Sequence, residues 1–230
     1  MAVLVAAYLY RTRRERVSRL RLASFFGGAL VLTAAAVTPL DALSFHLLSA
    51  HLLQNVVLAE WAPALVVFGI PPGLAARIAR LGPVRFLTRP AVALTIWLLT
   101  YFFWHLPWVY DTALRHPWTL LHLEHALYFA AGCLLWWPVA HDVPHSLGDG
   151  GRALYLFAAF LFASPLGLLL ALVPEPVYDY YEEGGSLWGL SPLTDQEIAG
   201  VTMAAEQAIV FFVVFAYFLT RFLQAQEADS

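Results

Sequence analysis

Six apolar segments separated by short polar or proline-containing turns leave this chain few possible folds. They run at about 23–38, 44–69, 91–106, 119–139, 152–173 and 196–223. A helix that crosses a bilayer core needs about 20 mainly apolar residues, because each backbone N–H and C=O must be satisfied inside the segment. Of the 230 residues, 60% are hydrophobic and only 13% charged; soluble domains carry about 25% charged residues. The mean hydropathy is +0.68. The expected fold is therefore all-α: a polytopic membrane helical bundle of six full transmembrane helices plus a short or truncated N-terminal one. Residues 1–10 supply the short one, since as a helix they reach only about 15 Å, half of a bilayer core. Neither an internal repeat nor a low-complexity linker appears, so residues 1–230 read as a single integral membrane domain.

Charge sets an expected orientation. All thirteen basic residues are Arg, and twelve of them fall in loops 11–22, 70–90 and 140–152 and in the C-terminal part. Alternating loops place these on one side of the membrane, and the excess of Arg makes that side cytoplasmic. The opposite side carries Arg115 and an acidic loop with Asp179, Glu182 and Glu183. A basic loop beside a membrane span reads as lipid-facing, which excludes nucleic acid as a partner. The N-terminal apolar residues precede the Arg cluster, the reverse of a secretory signal. Trp104, Trp108, Trp118, Trp136 and Trp137 sit at helix ends, where interface anchors belong.

With that topology, six of the eight histidines gather at the outer boundary. His46 and His51 lie in the outer half of the second segment, and His105 ends the third. His116 lies in a short polar hairpin, and His122 and His125 open the fourth segment. Those last two are three apart and share a helix face, so both imidazoles can reach one metal ion. His141 and His145 fall in a loop on the Arg-rich side and read as solvated. Imidazole suits copper, zinc, iron or nickel alike. The single cysteine, Cys133, excludes a disulfide framework and a thiolate-rich metal site. Met203 is the only internal thioether. Glu60 and Glu206 lie deep in the second and sixth segments, where an ionisable group marks either a functional site or a satisfied hydrogen bond. Gln54 and Gln207 are candidate partners for them. Asp195 begins the sixth segment; it reads as a helix N-cap and also lies near the histidines.

Three stretches carry a family resemblance. AHLLQNVVLAEWAPALVVFGIP, WHLPWVYDTALRHPWTLLHLEHALYFAAGCLLWWPV and GLSPLTDQEIAGVTM occur in that order. Together they resemble the polytopic CtaG family of cytochrome c oxidase assembly factors, over essentially the whole chain from Tyr8 onward. The resemblance implies about seven spans and a role in assembling a respiratory haem–copper oxidase, with copper as the cargo. By position it implicates His51, His105, His122, His125 and Asp195. The sequence departs from the family pattern at Asn55, where a second His is common, and at Glu60 and Glu206, where acids stand in place of apolar or W-x-PG residues.

The functional expectation is a copper-handling assembly factor of the bacterial inner membrane, not an enzyme, with its histidine cluster near the outer face. His51, His105, His122 and His125 are the expected copper ligands. Asp195 and Glu124 are expected to orient the imidazoles, with Glu60, Glu206 and Met203 in support. Expected partners are an oxidase subunit, the lipid bilayer and a periplasmic copper donor. The residues alone also admit a membrane metallohydrolase with a His-ligated zinc, a haem-binding electron-transfer protein, or an interaction scaffold.

Overall fold

The structure is a computed structural model that describes residues 2–184 and 187–229, and every regular element among them is a helix. In chain order these are α1 (Ala2–Thr12), α2 (Arg19–Val37), α3 (Pro39–Ser44), α4 (Leu48–Gly69), α5 (Pro72–Ile78), α6 (Gly82–Leu87), α7 (Pro90–Trp104), α8 (Pro107–Arg115), a π-helical turn (Pro117–Leu121), α9 (His122–Ala140), α10 (Asp149–Leu172), α11 (Asp179–Glu183) and α12 (Pro192–Asp229). Each of the six apolar segments becomes a helix, and α1 is the short one. Among the described residues, four helices are long and apolar enough to cross a membrane: Arg19–Val37, Leu48–Gly69, Asp149–Leu172 and Pro192–Ala228. Helices α7 and α8 make a fifth only if the pair, bent by 73°, counts as one span. The expected six full spans are therefore not all established. Helix α9 has 19 residues but carries His122, Glu124 and His125 in its first turn and Pro138 near its end.

The expected polar hairpin at 107–118 differs too. Pro107 starts a nine-residue helix there, because its fixed φ suits a first turn and its missing N–H costs nothing at that position.

Contacts divide the chain into two compact units. The first contains the stretch up to Asp41, then Gln54–Trp97 and His125–Ser146; the second contains Ala42–Leu53, Leu98–Glu124 and everything from Leu147 on.

In the first unit, α2 lies against the later part of α4. Arg21 donates to the carbonyls of Phe68 and Ile70 at 2.9 and 2.6 Å, serving the orphan acceptors at the end of α4. Tyr8 of α1 stacks on Phe25 at 3.7 Å between ring centroids, and its hydroxyl donates to the Gly69 carbonyl at 3.0 Å. A π-helical turn, Val57–Trp61, lies inside α4 just before Pro63. Proline has no N–H for the carbonyl of residue i−4, here Ala59. Gly132 of α9 lies over that carbonyl, so closely that a Cβ there would be 2.1 Å from it.

In the second unit, α10 and α12 meet at Gly167 and Gly200. A Cβ on Gly200 would be 2.5 Å from the Gly167 carbonyl, a small-residue crossing of the kind that lets membrane helices approach. The Asp111 carboxylate of α8 accepts from the backbone N–H groups of Asp179 and Tyr180, both at 3.2 Å, and so holds the start of α11.

Two surface expectations change. Trp104, Trp136 and Trp137 are buried, while Trp108 and Trp118 are exposed. His141 is not solvated: it is buried in the first unit, and its Nε2 lies 3.0 Å from the Val67 carbonyl.

Candidate functional site

The polar centre of the second unit is built around the first turn of α4. Asp195 fixes where that helix begins. Its carboxylate accepts from the Leu48 N–H at 2.5 Å, from the Ser49 N–H at 3.3 Å and from the Ser49 hydroxyl at 2.5 Å. A carboxylate at a helix N-terminus satisfies orphan donors and complements the macrodipole. The expected capping role is thus real but belongs to a different helix. Ser191, not Asp195, caps α12, accepting from the Thr194 N–H at 3.1 Å.

One turn along α4, His51 is fully buried. Its Nδ1 lies 2.9 Å from the Tyr181 hydroxyl, and that hydroxyl donates to the Ser44 carbonyl at 2.6 Å. The hydroxyl has one proton, and the carbonyl can only accept. Nδ1 of His51 therefore carries the ring proton and donates it to Tyr181, and in the neutral ring Nε2 bears the lone pair. Nε2 is 3.9 Å from a carboxylate oxygen of Glu124, which is also buried.

His105, in the break between α7 and α8, is set by the same logic. Its Nδ1 lies 2.7 Å from the Tyr101 carbonyl, which fixes the proton on Nδ1 and the lone pair on Nε2. Tyr110 lies against both rings, at 4.9 Å from His51 and 6.0 Å from His105 between centroids. Tyr110 in turn stacks on Tyr178 at 4.1 Å, and the Tyr178 hydroxyl donates to the His105 carbonyl at 3.2 Å. Below His105, the Tyr101 hydroxyl donates to the Met203 sulfur at 3.4 Å and accepts from the Gln207 amide at 3.1 Å. Burial raises the phenol pKa of Tyr181 well above its ordinary value, with a contribution from the negative charge of Glu124. Tyr178 shifts up for the same reasons. Both hydroxyls remain neutral donors.

The remaining expected residues fall elsewhere. His122 is exposed; its Nδ1 lies 2.5 Å from the Pro117 carbonyl, and its ring stacks over Trp118. His125 is half-buried and belongs to the first unit. Glu60 is buried in the first unit, and Glu206 is half-buried on α12. Gln54 does not serve Glu60 with its amide N–H groups; they go to the Ala35 carbonyl at 2.7 Å and to Asp41 at 3.0 Å. His46 and His116 are exposed. Among the described residues, no three side chains drawn from His, Cys, Asp and Glu are grouped so as to hold one metal ion. What the second unit brings together is a pair of imidazoles against one tyrosine, with a carboxylate beside the first.

Comparison with known proteins decides the class. A family model described as cytochrome c oxidase caa3 assembly factor (Caa3_CtaG) matches residues 3–225. The chain belongs to this family. Neither a curated protein nor a solved structure matches it. Membership in the CtaG family implies an oxidase assembly factor and a membrane setting, and the apolar helices agree with the second.

In this CtaG-family chain the tyrosines are what sequence reasoning missed. Tyr110, Tyr178 and Tyr181 line the histidine pair, yet two of them come from a loop that reads as acidic and external. The signal was the run VYDYYEE itself: aromatic residues that dense, between two apolar segments, are costly to leave in water.

Proposed function

We propose that the protein assists assembly of a haem–copper oxidase by holding copper transiently in the second unit and passing it to an oxidase subunit. Copper here is cargo, and the protein performs no turnover chemistry. The supporting observation is the state of His51: a buried imidazole whose Nδ1–H is committed to Tyr181 and whose lone-pair nitrogen faces the carboxylate of Glu124 at 3.9 Å. Metal-binding histidines are commonly oriented in this way, by a hydrogen bond from the other ring nitrogen. His105 is oriented alike, through Tyr101. A small set of imidazole donors, short of a closed coordination sphere, suits an ion that must leave again. His122, exposed on α9, is a further candidate ligand of this unit, and His125, in the first unit, is a separate candidate. In this reading the Arg-rich loops are cytoplasmic, the histidines lie toward the outer face of a bacterial inner membrane, and a periplasmic donor supplies the metal.

The test is copper stoichiometry of the purified protein in detergent, with zinc and haem assayed in parallel. The wild type should bind copper reversibly. His51→Ala with His105→Ala should lose it while remaining folded, and His122→Ala with His125→Ala should weaken it. Undiminished copper in both double variants would sink the ligand assignment. Zinc or a haem absorption band in place of copper would overturn the copper reading itself.

A further inference from the structure

Helices α1, α2, α4 and α5 of the first unit enclose an apolar groove of ≈ 380 Å³, walled by Leu4, Ala7, Phe25, Val66, Ile70 and Leu74. That volume lies in the range of small-ligand pockets, about 300–1,000 Å³. The groove also reaches Arg11 and Arg77. The same two arginines line a second, smaller pocket of ≈ 180 Å³ together with Tyr10, Arg13 and Arg14. The two cavities therefore adjoin at Arg11 and Arg77: an apolar trough on one side, a cluster of guanidinium groups on the other. Arg77 is held in place, its Nη2 donating to the Arg11 carbonyl at 3.2 Å and its Nε to the Gly73 carbonyl at 3.3 Å. Glu15 forms an ion pair with Arg77 and offsets one charge, which leaves this end of the groove net positive. The Tyr8 hydroxyl is committed to the Gly69 carbonyl, so the trough itself presents little that is polar.

A ligand complementary to both parts has an apolar chain joined directly to an anion. We propose that an anionic phospholipid occupies this groove, one acyl chain along α1 and α4 and its phosphate at Arg11 and Arg77. Charge complementarity selects the anionic headgroup over a zwitterionic one, and basic pockets between membrane helices are suited to this. A membrane setting supplies the lipid at high local concentration. The inference does not depend on copper.

The full chain in neutral detergent, examined by native mass spectrometry with phosphatidylglycerol and with phosphatidylcholine of the same acyl chains, tests it. Phosphatidylglycerol should bind at least tenfold more tightly. Arg11→Gln with Arg77→Gln should lower its affinity by roughly twenty-fivefold, from about fivefold per basic residue near an anionic surface. Arg85→Gln with Arg89→Gln, which removes the same charge away from the groove, should not. Ala7→Phe fills the trough and keeps every charge, and it should weaken binding as well. Equal affinity for the two lipids would overturn the proposal, as would equal losses in the two arginine pairs or unchanged binding in Ala7→Phe. A lipid-free dimer abolished by Ala7→Phe would overturn it in favour of a second copy of the chain as the occupant.

Discussion

The Tyr181 hydroxyl lies 2.9 Å from Nδ1 of His51 and donates its own hydrogen bond to the Ser44 carbonyl at 2.6 Å. That chain of donors fixes the tautomer of a buried histidine from outside its own helix. Tyr181→Phe removes the acceptor and leaves a buried N–H to find another, at a cost of about 1–3 kcal/mol. On the proposed copper role of His51, copper affinity should also fall about 10–100-fold, the usual effect of losing a group that orients a metal-binding imidazole. Thermal unfolding and a copper competition titration on the same sample separate the two effects. A lowered melting temperature with unchanged copper affinity would reduce Tyr181 to a structural residue.

Asp195 ties the start of α12 to the start of α4 through Leu48 and Ser49. Asp195→Ala should cost about 1–2 kcal/mol, the upper part of the range for a lost N-cap. Asp195→Asn keeps the shape and an acceptor but loses the charge, and it should fall between. Ser191→Ala, which removes the cap of α12 itself, should cost about 1 kcal/mol. Denaturant unfolding in mixed micelles ranks the four proteins. The order wild type, Asn, Ala is the expected one, and an Asp195→Ala protein as stable as wild type would refute the capping role.

The positions of the apolar helices were legible because apolar length is a strong signal: all six segments became helices with ends near those expected, while the short helices between them, such as Pro107–Arg115, were not read. Span count was less so. Helix α9 combines adequate length with three ionisable residues in its first turn, and the bent pair α7–α8 depends on two prolines that start helices instead of ending them. At the site, His51 and His105 were readable as buried imidazoles in apolar segments. The partner of each was not, because Tyr181 lies 130 positions from His51 in the chain and no periodicity links them. Asp195 shows the same gap. Its residue type announces a cap, but which helix it caps depends on tertiary packing. His141 was misread because a polar residue beside a turn looks solvated until a neighbouring helix end, here the Val67 carbonyl, covers it.

Gly132 offers a sharp steric test within the first unit. A Cβ there would lie 2.1 Å from the Ala59 carbonyl, which is backbone and cannot rotate away. Gly132→Ala should destabilise by about 1–3 kcal/mol, the usual cost of overpacking. Gly27, in the interior of α2, has nothing within 4 Å of its Cβ position. Gly27→Ala should be neutral or stabilising by up to about 1 kcal/mol, since alanine is the better helix former. The two melting temperatures, measured side by side, should move in opposite directions or at least differ clearly. A Gly132→Ala protein as stable as Gly27→Ala would mean that α9 is not closely seated over the Pro63 turn.

Tyr178 and Tyr181 give the fold an alkaline limit. Burial, together with the charge of nearby carboxylates, raises both phenol pKa values above the ordinary one, which is about 10. The folded protein thus keeps these protons where the unfolded chain releases them. By linkage, stability is intact below about pH 10 and declines as pH rises beyond it. An alkaline titration should show exposed tyrosines ionising near their ordinary value, and a further step in phenolate absorbance only as helicity is lost. Replacing both Tyr178 and Tyr181 by Phe should shrink that late step. Phenolate signal from these two residues appearing near pH 10 with helicity unchanged would contradict their burial against His51 and His105.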